Sequence, residues 1–100
     1  MDIPLQITFR DLAHSEALEA RIRQYASKLE HAARDIHSCR VTVEELDRHK
    51  QSGRQFMIRL DIRARDHEIA VNRQHDEDVY VALHEAFDAA KRQLERLNEN

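Results

Sequence analysis

The apolar residues of this 100-residue chain recur with two different spacings, and the order of those spacings constrains the fold more than any other feature. Near the N-terminus and in the middle they alternate with polar residues, at Ile3, Leu5, Ile7, Phe9, then Cys39, Val41, Val43, then Phe56, Ile58, Leu60, Ile62. Such alternation indicates strands with one buried face. A short strand with Ile69 and Val71 follows. A polar loop over residues 47–54, containing Gly53, is predicted to join the second and third strands.

Two other segments have the spacing of amphipathic helices. Their apolar stripes are Leu18, Ile22, Tyr25, Leu29 in the first and Val79, Leu83, Ala86, Ala90, Leu94, Leu97 in the second. Ser15 is a suitable N-cap for the first helix, and the acidic residues at 76–78 favour the start of the second through the helix dipole. The predicted order of elements is therefore β-α-β-β-β-α.

These elements bury their apolar faces if both helices pack on one face of a four-stranded sheet and the other face meets water. The helix between the first two strands makes that pair parallel, and the short connections make the other pairs antiparallel. We therefore predict an α+β fold with a mixed sheet. A chain of this length holds one core, so residues 1–100 are predicted to form a single domain.

The composition argues against several classes of function. No apolar run reaches membrane-spanning length and the N-terminus lacks the pattern of a signal peptide, so we expect a cytoplasmic protein without membrane contact. A single glycine argues against phosphate-binding glycine loops. Glu44 and Glu45 point to opposite faces of a strand, so they cannot act as a paired general acid and base. We expect no enzymatic activity and no small-molecule substrate. The seven scattered histidines and lone Cys39 lack metal-ligand spacing, so no metal or other cofactor is expected.

Two motifs resemble a known family. Ser-Glu-Ala-Leu at 15–18 is followed by Lys-Leu-Glu at 28–30, and Asp-Val-Tyr-Val-Ala-Leu at 78–83 runs on to Lys-Arg-Gln-Leu at 91–94. In this order, with strands between them, they resemble the bacterial ribosome hibernation-promoting factors, also called sigma-54 modulation proteins, over nearly the whole chain. The resemblance implies a fold related to the double-stranded-RNA-binding domain. It also implies a translation inhibitor that binds small-subunit ribosomal RNA in the decoding channel and blocks messenger and transfer RNA under stress.

The resemblance also implies which residues contact ribosomal RNA. At about 100° per residue, Arg21 and Lys28 share one flank of the first helix, and Lys91 lies on the flank of the last helix that carries Tyr80. By matched position the implied contacts are Lys28, Lys91 and Arg92, with Arg21, Arg73 and Arg96 as further candidates. Arg73 is expected in the linker before the last helix. Tyr80 is expected to pack under that linker, with a partner for its hydroxyl, and not to stack on a base.

The charge of the chain keeps one alternative open, and the resemblance keeps a second. The family tends to be basic, whereas this chain has 16 Lys and Arg against 19 Asp and Glu, a net charge of −3. RNA binding must therefore rely on local basic patches. The alternatives are an acidic relative that regulates a protein partner, and the N-terminal domain of a longer RNA-binding protein. Basic helix residues can also be solvated ion pairs, such as Asp88 with Arg92. Away from the ribosome we expect a monomer.

Overall fold

The computed structural model describes residues 4–33, 35–46, 55–76 and 78–98, so the predicted loop around Gly53 lies outside the described residues. The elements, in the predicted order, are β1 (Leu5–Arg10), α1 (Glu16–Ala32), β2 (Ile36–Leu46), β3 (Gln55–Ala64), β4 (His67–Asp76) and α2 (Val79–Asn98). The sheet order is β1-β2-β3-β4. β1 is parallel to β2 and the other two pairs are antiparallel, which confirms the predicted α+β fold with a mixed sheet.

The apolar alternation faces the helices, as predicted. In the middle of the sheet, Ile7, Val41, Leu60 and Val71 stand next to one another on the four strands. Val41 and Leu60 are completely buried, and Val71 is 2% exposed. α2 packs on β3 and β4, whereas α1 contacts β2 and α2. The two helices therefore cover one face of the sheet side by side, with α1 toward the β1 side and α2 toward the β4 edge.

Each helix begins at a capping residue. The Ser15 hydroxyl oxygen accepts a hydrogen bond from the backbone N–H of Leu18 at 3.1 Å. The Asp78 carboxylate accepts hydrogen bonds from the N–H groups of Tyr80 and Val81 at 3.0 and 3.2 Å, so Asp78 caps α2. These bonds satisfy donors that the first turn of a helix leaves unpaired. Neither described helix has an apolar stretch of the length needed to cross a membrane.

The prediction that β4 is short is wrong. β4 has ten residues, and its antiparallel pairing with β3 continues from Ala64 opposite His67 to Gln55 opposite Asp76. The apolar alternation fades after Val71, but ladder hydrogen bonds join backbone groups and do not require apolar side chains. Arg73 therefore lies in a strand, opposite Ile58, and the prediction that it belongs to a linker is also wrong.

Cys39 lies in the core, as its place in the alternation of β2 predicts. Its side chain is 2% exposed. Burial raises the pKa of the Cys39 thiol to about 12, and the Asp61 carboxylate adds to the increase. Because the thiolate is the reactive form, this buried thiol is inert near neutral pH.

Candidate nucleic-acid interface

α1 and α2 meet along a line of aromatic and basic side chains. The ring centroid of Tyr25 on α1 lies 5.3 Å from that of Phe87 and 6.1 Å from that of His84 on α2. One turn earlier on both helices, the guanidinium carbon of Arg21 lies 5.3 Å from the centroid of Tyr80. The contacts advance in the same direction along both helices, so the helices run side by side with their N-termini at the same end.

We name the solvent-facing strip along this line the helix seam. It consists of Arg21, Tyr25, Lys28, Tyr80, His84 and Lys91. Lys91 belongs to it because it follows His84 by seven residues, about two helical turns, and therefore lies on the same flank of α2. Arg21, Lys28, His84 and Lys91 are all exposed. The seam thus presents three permanent positive charges and an imidazole to solvent.

The flank of α1 that faces the seam carries no acidic residue. At about 100° per residue, Gln24 lies beside Arg21 and Lys28, whereas Glu19 and Glu30 lie on the opposite flank. On that opposite flank Glu19 is engaged by Arg23, with 3.9 Å between Nη2 and Oε1. On the seam side, the Lys28 ammonium lies 5.8 Å from the centroid of Tyr25. The cations of α1 that border the seam are therefore not neutralised within their own helix.

The outer face of α2 is more evenly charged. Arg92 lies about 100° round the helix from Lys91, and its Nη1 is 3.1 Å from Oδ2 of Asp88. This confirms the ion pair predicted from the i,i+4 spacing. Both partners are exposed, and exposed pairs of this kind contribute only about 0–1 kcal/mol. Arg92 can therefore exchange Asp88 for another anion at little cost.

Arg73 and Arg96 lie outside the helix seam. Arg73 is on the edge strand β4 and, two residues after Val71, lies on the same face of the strand as Ile69 and Val71. Its Nη1 donates a hydrogen bond to the backbone carbonyl of Asn72 at 2.8 Å. Because α2 lies over β3 and β4, this edge is on the side of α2 away from α1. Arg96 is on the flank of α2 away from α1, about 25 Å along the axis from the start of the helix. The six predicted contacts therefore do not form one surface.

The expectation that Tyr80 packs under the linker, with a partner for its hydroxyl, is wrong. Its side chain is 38% exposed, and the Arg21 guanidinium lies over its ring. Within the described part of the chain, no group hydrogen-bonds its hydroxyl. Tyr80 cannot pack under a linker that is absent at this point, because β4 extends to Asp76 and Asp78 already caps α2.

The sheet face away from the helices is a weaker candidate for binding an anion. It holds a shallow groove of about 630 Å³ whose charged lining consists of Arg40, Arg59, Asp61, Arg63 and Glu68. Arg59 pairs with Asp61 two residues further along β3, with 3.1 Å between Nε and Oδ2. The remaining arginines stand opposite carboxylates, Arg40 at Asp61 and Arg63 at Glu68. The charges on this face largely compensate one another.

Comparison with known proteins identifies the family. Residues 5–100 match the family described as Sigma 54 modulation protein / S30EA ribosomal protein. The chain belongs to this family. The sigma-54 modulation family consists of ribosome-associated factors and is not a family of enzymes. Comparison with curated protein sequences gives no match.

Two solved structures share the sigma-54 modulation fold. The N-terminal domain of Protein Y from Thermus thermophilus superposes with a TM-score of 0.77 at 18% identity, covering 97% of this chain and 99% of that one. A ribosomal subunit interface protein from Coxiella burnetii superposes with a TM-score of 0.72 at 15% identity, covering 98% of this chain and 100% of that one. At such low identity the likeness establishes the shared fold.

Sequence reasoning missed one member of the helix seam, Tyr25. Tyr25 was assigned to the buried stripe of α1, but it is half-buried and lies against Lys28 at the edge of that stripe. A signal was present, because Tyr25 and Lys28 are three residues apart, which makes them neighbours on the surface of α1. The missing information was which flanks of the two helices meet.

Proposed function

We propose that this member of the sigma-54 modulation family is a ribosome-associated translation inhibitor of the hibernation-promoting type. Its helix seam binds small-subunit ribosomal RNA in the decoding channel, and the bound domain blocks messenger and transfer RNA under stress or in stationary phase. The observation that carries the proposal is the convergence of Arg21, Lys28 and Lys91 on one exposed strip in a family of ribosome-associated proteins. The protein acts in the cytoplasm, without a cofactor, and is a monomer away from the ribosome.

The mechanism combines phosphate neutralisation with steric exclusion. The Lys and Arg side chains of the seam replace counterions on RNA phosphates, which favours binding and sets the orientation without reading sequence. Arg92 exchanges the Asp88 carboxylate for a phosphate at the border of the seam. The folded domain then occupies the path of messenger and transfer RNA. No covalent bond is made or broken.

On α1, the distribution of charge favours RNA binding despite a net charge of −3. Exposed charges farther apart than about 8–10 Å are largely screened at physiological salt. The acidic residues on the far flank of α1, Glu19 and Glu30, therefore affect an anion at the seam less than the adjacent cations do. The similar protein from Coxiella burnetii is a ribosomal subunit interface protein, which supports an association of this chain with the ribosome.

The first test is co-sedimentation with purified small ribosomal subunits at increasing salt. If at least three phosphates are neutralised, the affinity should fall roughly 20-fold or more between 50 and 200 mM salt. This steep dependence distinguishes RNA binding from the alternative of a protein-interaction module. Binding to subunits that does not change with salt, or salt-insensitive binding to a ribosomal protein alone, would support that alternative and contradict the proposal.

A further inference from the structure

Tyr80 has an unusual position for a large aromatic residue. Of the residues that the structure describes, it alone among the large apolar side chains is exposed, at 38%. It lies in the first turn of α2, beside the line where the two helices meet. The remaining apolar residues of α2 supply the contacts with the sheet, since Leu83, Ala86 and Leu94 are buried. The ring of Tyr80 is therefore not needed to fill the core.

The surroundings of Tyr80 are cationic and aromatic in alternation. The Arg21 guanidinium lies over its ring, and one turn further on His84 faces Tyr25, which in turn lies against Lys28. Lys91 is eleven residues after Tyr80, about 16 Å along the helix axis. At about 3.4 Å per phosphate along one stacked strand, this distance corresponds to roughly five nucleotides. Rings interleaved with cations are typical of sites for single-stranded nucleic acid, whereas duplex RNA is bound mainly through phosphates and 2′-hydroxyls.

Resting on the function proposed above, we propose that Tyr80, with the Arg21 guanidinium over it, is a stacking site for one unpaired base of RNA. Both groups have planar faces on which a base stacks. The cations farther along the seam, Lys28 and Lys91, then neutralise phosphates farther along the same strand, at Lys91 roughly five nucleotides from the stacked base. The seam consequently prefers single-stranded RNA to duplex RNA, and on the ribosome it contacts ribosomal RNA where a base is unpaired.

The chain offers a direct spectroscopic test. It contains two tyrosines and no tryptophan, so Tyr25→Phe makes Tyr80 the only tyrosine and keeps the ring that packs against Phe87. The probe is an adenine RNA strand of about 12 nucleotides, within the usual range of single-strand sites, alone or annealed to its uridine complement. We expect the single strand to quench the fluorescence of Tyr80 and to bind roughly tenfold more tightly than the duplex at equal salt.

Two substitutions separate stacking from a structural role. Tyr80→Leu should weaken binding of the single strand roughly 5- to 150-fold and leave binding of the duplex nearly unchanged, because it removes only the aromatic face. Tyr80→Phe should keep the affinity of the parent within about threefold. Equal weakening of both probes by Tyr80→Leu, or equal affinity of the parent for both, would overturn the stacking site. Binding of the single strand without quenching of Tyr80 fluorescence would also overturn the stacking site. This measurement requires no substitution at Tyr80.

The same protein separates this inference from the proposed function. If the Tyr25→Phe protein sediments with small subunits but its Tyr80 fluorescence does not respond to the single strand, the stacking site is wrong and ribosome binding stands. If the unchanged protein fails to sediment with small subunits, the proposed function is wrong whatever the RNA strand does. Quenching by the single strand, together with weaker sedimentation of Tyr80→Leu but not of Tyr80→Phe with small subunits, supports the stacking site on the ribosome.

Discussion

Replacing Lys28, Lys91 and Arg92 together by Glu should weaken binding to small ribosomal subunits on the order of 100-fold or more. Each substitution exchanges a cation that neutralises a phosphate for an anion that repels it. All three side chains are exposed, and substitutions at such positions usually shift the free energy of unfolding by only about ±0.5 kcal/mol. Co-sedimentation at low salt measures the loss, and circular dichroism checks that the variant is folded.

The matched control has the same change in formal charge on the other side of the molecule. Arg40, Arg59 and Arg63 are exposed residues of the open sheet face, outside the helix seam. Their replacement by Glu sets like charges against Asp61 and Glu68, so circular dichroism checks that this variant is folded as well. This control should retain affinity within several-fold, because most of its added charge lies beyond the screening length from RNA bound at the seam. Equal losses in both triple variants would show that net charge, and not the helix seam, governs binding. Full affinity of the variant changed at Lys28, Lys91 and Arg92 would show that the helices are not the RNA-binding face.

Saturating amounts of the protein should displace nearly all initiator transfer RNA from small subunits and stop translation in a cell-free system. The physical reason is exclusion, because a folded domain and a transfer RNA cannot occupy the decoding channel together. Filter binding with labelled initiator transfer RNA measures the occupancy. The control is the variant with Glu at positions 28, 91 and 92, which should leave the occupancy of transfer RNA unchanged at the same concentration.

Displacement also separates occlusion from mere association. If the protein sediments with small subunits while transfer RNA occupancy and translation stay at their initial level, the protein binds outside the decoding channel. The seam would then remain an RNA-binding surface, but the inhibitory mechanism would be wrong. Because the two compete for the same site, an excess of transfer RNA should in turn displace the protein from small subunits.

The fold was predictable because each element buries one face of its own. Alternation in β3 brings Leu60 to the core, and the stripe of α2 brings Leu83 there, without information from the rest of the chain. The helix starts were equally local, because Ser15 and Asp78 bond to the first turns that follow them. Topology then followed from connection lengths and from the need to cover the apolar face of the sheet.

The length of β4 was not predictable from its own pattern. After Val71 the apolar alternation ends, yet β3 continues alongside and supplies backbone partners as far as Asp76. The extension of β4 carries Arg73 to a sheet edge and leaves no linker to cover Tyr80. One tertiary effect thus explains two failed expectations.

The candidate site was predictable only in part. The spacing of Arg21 and Lys28 places them on one flank of α1, and that of Tyr80 and Lys91 on one flank of α2. Spacing within a helix does not reveal which flank meets its neighbour. The contact of Arg21 with Tyr80 supplies this information and separates the seam from Arg73 and Arg96.

The location of the helix seam on the ribosome can be measured by cleavage of ribosomal RNA from tethered iron chelates. Cys39 is the only cysteine, is buried and has a thiol pKa of about 12, so it adds little background labelling. The substitution Gln24→Cys attaches the chelate beside Arg21 and Lys28 on the flank of α1. Its matched control is Ala70→Cys, an exposed position on the open sheet face.

When the labelled proteins are bound to small subunits, the hydroxyl radicals produced at each chelate cleave the RNA nearest to it. We expect the chelate at position 24 to cleave ribosomal RNA that lines the messenger and transfer RNA path, with much weaker cleavage there from position 70. Cleavage confined to RNA outside that path, or stronger cleavage of the path from position 70 than from position 24, would contradict the claim that the helix seam binds in the decoding channel.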